Sequence, residues 1–308
     1  MRAEEASPIG GRPAGSDSTI TALLKDTAAR LAGSPHVANA DADARELVAA
    51  LLEVPRSWPS LHPDAPVDMA TRDAALRAAD RLAAGAPLQY AVGRASFRHL
   101  TLDVDERVLI PRPETELLVD LVLGELAGRP GGTAVDVGTG SGAIALSLAA
   151  EGRFERVIGI DISLDALAVA RENARHVACA LRGPVELRHG SLLGPVRGER
   201  VRVVVSNPPY IAYAEAAELP ATVRDWEPAV ALYSGASGMD ATVRLVREAA
   251  EVLEPGGLLA MEVDSRRAAL AAECVASDGR YTQVRVRLDL SGRERFVLAR
   301  RLDHAESA

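Results

Sequence analysis

Cysteine is nearly missing: Cys179 and Cys274 stand far apart in a chain of 308 residues, and neither has a second Cys at metal-ligand spacing. Nothing therefore points to a disulfide framework or a zinc site, and both read as packing residues. Long apolar runs are missing too. No stretch approaches the roughly 18 residues that a membrane span needs, and Met1 to Ser18 lacks the apolar core of a signal peptide. The cytoplasm is the expected location. Positive charge is in short supply, with 35 Lys and Arg against 43 Asp and Glu and a formal net charge of -8. This argues against a protein that wraps nucleic acid by neutralising phosphates, although a local basic patch fits within an acidic total. Protein or small-molecule substrates suit the balance better. What remains, 48% hydrophobic and 25% charged, is an ordinary globular balance long enough for two domains.

Residues 1–17, rich in Gly, Pro, Ser and charge, show no period and read as a disordered tail. From Thr19 the spacing of Ile20, Leu23, Leu24 and Leu31 predicts a helix, with Ser18 as N-cap. A second helix passes through Ala44, Leu47, Val48 and Leu51, ended by Pro55; a third runs from about Asp68 to Ala84, stopped by Gly85 and Pro87. Residues 18–85 thus form a small helical domain without nucleophile, metal ligands or phosphate loop, and its expected role is substrate recognition. Residues 86–112 read as a β-hairpin linker, with Leu100, Leu102 and Val104 alternating, a turn at Asp105-Glu106, then Val108 and Ile110. Across residues 113–302 strands alternate with helices: Thr133 to Val137, Ala143 to Ala150, Arg156 to Ile160, Leu164 to Val177, Val185 to Arg188, Val201 to Ser206, and Leu258 to Val263. That pattern predicts an α/β domain with a mainly parallel sheet covered on both faces. Val284, Val286 and Leu288, a turn at Ser291-Gly292 and Phe296 to Ala299 add an antiparallel hairpin at the sheet edge. Residues 303–308 read as a tail.

The loop Asp136-Val137-Gly138-Thr139-Gly140-Ser141-Gly142 falls where a buried strand turns into a helix. Glycines there let backbone approach a ligand without a Cβ clash, and the helix start presents free N–H groups. A glycine loop alone is a weak signal. Asp161, ending the next strand, strengthens it, because an acidic side chain at that place can accept both hydroxyls of a ribose. Asp161 could instead cap the helix that follows, a role Ser163 can fill. The loop reads G-x-G-x-G behind an Asp, which favours S-adenosylmethionine over a dinucleotide.

At the carboxyl end of the apolar strand Val201 to Val205 stands Ser206-Asn207-Pro208-Pro209-Tyr210. Ligands bind at the carboxyl ends of strands in an open parallel sheet, so this loop is expected to face the cofactor. An amide nitrogen is a poor nucleophile, and a site that methylates one must hold it in line and polarise its N–H bonds. Asn207 Oδ1 and the Pro208 carbonyl can each accept one N–H. The prolines stiffen the loop, and Tyr210 can stack on a planar amide. A proline-stiffened turn with a core tyrosine is the plainer alternative. The tetrad marks a nitrogen conjugated with a planar group, which includes glutamine amides and the exocyclic amines of adenine and cytosine.

The combination resembles the HemK/PrmC family, methyltransferases acting on the glutamine of the Gly-Gly-Gln motif in class I peptide-chain release factors. The resemblance rests on Ile110-Pro111-Arg112-Pro113-Glu114-Thr115-Glu116, Pro87-Leu88-Gln89-Tyr90 with Gly93 and Phe97, Trp226-Glu227-Pro228, Gly238-Met239-Asp240 and Gly292-Arg293-Glu294-Arg295, and covers nearly all of residues 19–302. It implies a seven-stranded Rossmann-like domain in which Gly138, Thr139, Gly140, Ser141 and Gly142, behind Asp136, hold the cofactor's methionine part and Asp161 its ribose. Ile162, Ser191 and Leu192 belong with the cofactor as well. Asn207, Pro208, Pro209 and Tyr210 hold the glutamine, Asn207 also touching the cofactor. Arg112, Glu114 and Glu116 carry the signature either at the site or as an ion-pair network beneath its rim.

Two departures stand out. Gly190-Ser191-Leu192 replaces the usual Gly-Asp whose Asp lies near the adenine amine, and Glu262-Val263-Asp264-Ser265-Arg266-Arg267 replaces Glu-Ile-Gly with a later Gln. The first is expected to weaken cofactor affinity, the second to concern packing. A diverged homologue acting on an amide or amine of a small molecule or another protein stays open. An adenine methyltransferase would want a basic groove and stacking aromatics, but the helical domain has few aromatics beyond Trp58. No general base is required, since an N-alkylated amide cation sheds its proton readily, and no His neighbours the tetrad. The expected partner is a release factor, with no metal, no direct nucleic-acid contact and no membrane, and the chain is expected to act as a monomer.

Overall fold

Helix starts in the computed structural model, which describes residues 18–303, are set by short polar side chains. The readings for 1–17 and 304–308 lie outside the described residues. The described chain forms two compact units that divide between Val92 and Gly93.

In the first unit, Thr19 accepts from Ala22 N and starts the helix Ile20–Leu31; Asn39 accepts from Ala42 N before Ala40–Leu51, and Asp68 from Thr71 N before Met69–Ala83. The first cap stands one residue later than Ser18, and Ser18 and Thr19 together form a short antiparallel pairing with Val67 and Pro66. Ile20, Leu23, Leu31, Leu47, Val48 and Val67 close a small core filled in by alanines at 44, 75, 78 and 79. Short helices at Trp58–Leu61 and Leu88–Val92 complete the unit. The second of these lies in the segment read from sequence as linker.

The second unit opens with a hairpin, Arg94–Phe97 against Leu100–Asp103. Its turn is at Arg98-His99, not at Asp105-Glu106, and Val108 and Ile110 are not a strand. Leu100 and Leu102 do alternate inward, but their partners precede them as Ala95 and Phe97. Arg98 turns the chain at φ 54, a conformation unusual for an arginine. It is held there by Glu116, which accepts its backbone N–H at 2.9 Å, and by Glu151 and Asp120, which accept from its guanidinium at 2.7 Å.

Seven strands form one sheet in the spatial order Tyr281–Leu288, Glu294–Arg301, Leu253–Glu262, Val201–Ser206, Thr133–Val137, Arg156–Asp161, Val185–His189. The last five run parallel, and Glu294–Arg301 is antiparallel to both its neighbours. Successive side chains point to opposite faces, so alternate strand residues feed two cores. Val135, Val137, Ile158, Ile160, Val204, Leu259 and Met261 pack with the helices Asp240–Val252 and Ala268–Ser277. Ala134, Val157, Val203, Val205, Leu258 and Ala260 pack with Pro113–Glu125 and Ala143–Glu151. Burial on both faces is why these strands read as mostly apolar runs. The strand order reverses between Thr133–Val137 and Val201–Ser206, and their carboxyl ends open onto the site. Among the described residues no helix is long and apolar enough to cross a membrane.

Candidate active site

A cavity of about 370 Å³ opens at the carboxyl ends of Thr133–Val137, Arg156–Asp161 and Val201–Ser206. Its floor is the glycine loop. Gly138 at φ 74 and Gly140 at φ 54 both line it, and the space a Cβ would take at either is empty. The loop is thus a backbone cradle in a conformation that side-chain-bearing residues resist. Ile160 O anchors it by accepting from Gly138 N at 2.8 Å and Thr139 N at 2.9 Å.

Asp136, Thr139, Ser141 and Gly142 lie beneath this surface rather than on it, buried and outside the cavity lining. Asp136 Oδ2 accepts from Thr139 Oγ1 at 2.6 Å and from Ala145 N at 3.1 Å, tying loop to helix. Its other oxygen is buried without a partner, and burial pushes the carboxyl up to about 7.

Asp161 does line the cavity. Its carboxylate accepts from Gly140 N and from Ser163 N, each at 2.9 Å. The cap of the helix Leu164–His176 belongs to Ser163, whose hydroxyl accepts from Ala166 N at 3.1 Å. Each Asp161 oxygen keeps acceptor capacity for a ligand. Ile162, exposed beside it, Ser191 and Leu192 complete this wall. Leu192 adopts φ 47, and Arg244 Nη2 approaches Ser191 Oγ at 3.5 Å.

Across the cavity stand Asn207, Pro208 and Pro209. Ser206 Oγ donates to Val137 O at 2.7 Å, pinning the loop to the cofactor-side strand. Asn207 Nδ2 donates to Thr115 Oγ1 at 3.2 Å, and Thr115 Oγ1 donates to Glu262 Oε2 at 2.7 Å. Tyr210 is not among the cavity-lining residues. It is half-buried, its phenol pushed up to about 12 by burial, and its backbone oxygen abuts Gly238, where any Cβ would collide with it. Val230 and Tyr233 supply the apolar rim instead, with the Tyr233 ring 5.8 Å from the exposed Tyr213.

The signature charges split. Arg112 Nη2 meets both oxygens of buried Glu227 at 2.5 and 2.7 Å. Glu116 accepts from Arg98 N, and Glu114 is exposed. None of the three lines the cavity. In the second departure, Arg267 Nε donates to Ser237 O at 2.8 Å and Arg267 Nη2 to Glu215, which fastens loops around the tetrad. The sequence motifs include Thr115, Glu227 and Glu262 without assigning them a part in the site, and omit Arg244 and Tyr233. The partners of Thr115 lie 92 and 147 residues away, and no local pattern joins them. Among the described residues no group of three or more His, Cys, Asp or Glu is placed to hold a metal ion.

Comparison with known proteins agrees with this layout. A PrmC N-terminal domain model matches residues 22–93 and a methyltransferase small domain model residues 114–222. A release factor glutamine methyltransferase of Moorella thermoacetica is 46% identical over 225 residues, covering 73% of this chain and 78% of its own length. One of Deinococcus radiodurans is 41% identical over 282 residues, covering 91% and 97%. Among solved structures, the hMettl16 catalytic domain in complex with MAT2A 3'UTR hairpin 6 superposes with a TM-score of 0.54 at 14% identity, over 75% of this chain and 82% of that one. That likeness speaks for the fold alone. Matched along nearly its whole length by proteins of one kind, the chain belongs to the release factor glutamine methyltransferase family.

Proposed function

We propose that this protein transfers a methyl group from S-adenosylmethionine to the side-chain amide nitrogen of the glutamine in the Gly-Gly-Gln motif of class I peptide-chain release factors. One observation carries the amide assignment: the NH2 end of Asn207 is tied to Thr115, which leaves its carbonyl end to accept an N–H in the cavity.

The donor set fits the cofactor. Gly138 and Gly140 give a bare backbone cradle for the methionine part, Asp161 offers carboxylate oxygens to the ribose, and Ile162, Ser191 and Leu192 flank the base. Asp136, Thr139, Ser141 and Gly142 serve from below by holding the cradle in shape. The bound cofactor supplies an electrophilic sulfonium methyl. Asn207 Oδ1 and the Pro208 carbonyl each accept one amide N–H, which presents the nitrogen lone pair to that methyl. Transfer to that nitrogen would leave the cofactor as its thioether, and the proton of the alkylated amide would go to solvent. Orientation and exclusion of water do the work. Tyr210 supports the tetrad through its backbone, and Tyr233 with Val230 borders the entrance.

The helical unit, residues 18–92, recognises the body of the release factor. The protein works in the cytoplasm as a monomer, without direct contact to nucleic acid or membrane. Replacement of Asn207 tests the reading. Asn207→Ala removes one acceptor and is expected to lower turnover roughly a hundredfold, while Asn207→Asp keeps an acceptor but gives up the bond to Thr115 and retains partial activity. Wild-type turnover in both variants contradicts the assignment.

A further inference from the structure

The tetrad's asparagine is the end of a chain that starts at a buried acid. Glu262 closes the strand Leu253–Glu262, is 1% exposed, and faces Thr115 in the first turn of the helix Pro113–Glu125. Thr115, also buried, stands between Glu262 and Asn207 with its single hydroxyl bonded to both. A hydroxyl has one proton to give. A carboxylate only accepts, so the Thr115 proton goes to Glu262 and its oxygen can only accept from Asn207. The Asn207 amide must then turn its NH2 toward Thr115 and its oxygen away, toward the cavity. A protonated Glu262 no longer compels that order: its O–H can donate to Thr115, Thr115 then donates to Asn207 Oδ1, and the NH2 end faces the cavity. That end repels an N–H.

We infer that Glu262, acting through Thr115, fixes which end of the Asn207 amide faces the cavity, so that both are positioning residues for methyl transfer and the ionised carboxyl is the competent form. The inference rests on the amide-methylation reading for its kinetic consequence, though not for the geometry. Burial pushes Glu262 up to about 7, so the two arrangements interconvert near neutrality. The other charged and titratable groups acting on it are Arg295 and Arg112, which favour the carboxylate, Glu114, which opposes it, and the Tyr210 phenol.

Two readouts on the full-length protein test this. In the first, turnover on a release factor is measured against pH alongside calorimetric affinity for S-adenosylhomocysteine. Wild-type turnover should rise through about pH 7. Glu262→Gln, which does not ionise, should lose that rise, and Glu262→Leu, which removes every acceptor from Thr115, should lose roughly tenfold or more in turnover at pH 8 with cofactor affinity kept. Thr115→Val, similar in size but without the hydroxyl, should lose as much, Thr115→Ser should recover most of it, and Glu262→Leu with Thr115→Val should lose no more than either alone, because the two act in series. A rise retained in Glu262→Gln, full turnover in Glu262→Leu or Thr115→Val, or additive losses, overturns the inference. The second readout needs no substrate. The Asn207 side-chain 15N–1H resonances, assigned with Asn207→Ala, should move with a midpoint near pH 7 in the wild type and stay fixed in Glu262→Gln. Resonances that do not move in the wild type overturn the relay even if Glu262→Gln fails to fold. Resonances that move while the wild type leaves release factor unmodified uphold the relay and reject the functional reading.

Discussion

Arg112 and Glu227, 115 residues apart in sequence, form a two-pronged ion pair in which the carboxylate is buried and the guanidinium about a third exposed. The pair joins the segment before the helix Pro113–Glu125 to the loop that carries Pro228, Val230 and Tyr233 into the cavity wall. Burial raises the Glu227 carboxyl and the Arg112 charge works against that rise. Arg112→Ala therefore strands a buried acid, and urea unfolding is expected to show a loss of about 2–3 kcal/mol, less than for a fully enclosed pair because Arg112 reaches solvent. Arg112→Met with Glu227→Leu should recover most of it. Unchanged stability in Arg112→Ala would show that the pair is ornamental.

For Asp161, the cofactor prediction is separated from helix capping by Ser163. With Ser163 already bonded to Ala166 N, Asp161→Ala leaves the cap in place. Affinity for S-adenosylhomocysteine should fall roughly a hundredfold through loss of two charge-assisted hydrogen bonds, with a lower melting temperature as Gly140 N and Ser163 N lose their acceptor. Calorimetry decides, and unaltered affinity means that Asp161 serves only Gly140 and Ser163.

The two buried carboxyls give the fold a pH signature. Asp136 and Glu262 are each pushed up to about 7 by burial, against about 4 in an unfolded chain. Between those values the folded state holds protons that the unfolded state has lost, so this contribution weakens as pH rises from about 4 to about 7 and levels above. Glu125, Glu186 and Asp289, lowered by their hydrogen bonds, act the other way and only below about pH 4.5, where unfolded carboxylates protonate. Urea unfolding at pH 5 and pH 8 should show the wild type losing stability on the basic side, and Glu262→Gln losing less by up to about 3 kcal/mol. Equal slopes in the two proteins contradict the burial argument.

The helical unit carries no catalytic group, and its proposed part is recognition. A chain beginning at Gly93 should keep its affinity for S-adenosylhomocysteine and lose most methyl transfer to an intact release factor. Transfer at the full rate by the shortened chain excludes docking through residues 18–92.

Much of the fold was open to reading because its signals are local. Apolar runs such as Val203 to Val205 and Leu258 to Met261 announce strands covered on both faces, and Gly138 and Gly140 announce a cradle through backbone preference alone. The hairpin was displaced because Arg98-His99 has no turn-forming residue; its turn is held by Glu116, Glu151 and Asp120, none of them adjacent in sequence. Asn207 was legible as a cavity residue, but its neighbours were not: Thr115, and Glu262 behind it, come into place only after the sheet and the helix Pro113–Glu125 are assembled. Tyr210 shows the converse, a motif residue outside the cavity lining, whose backbone oxygen is approached closely by Gly238.

The most direct measurement is tandem mass spectrometry of a class I release factor after incubation with this protein and S-adenosylmethionine, carried out beside the Asn207→Ala variant. The account predicts one added methyl on the side chain of the glutamine in the Gly-Gly-Gln motif with the wild type, and almost none with the variant. A methyl on any other residue, an unmodified release factor, or equal modification by Asn207→Ala would contradict it.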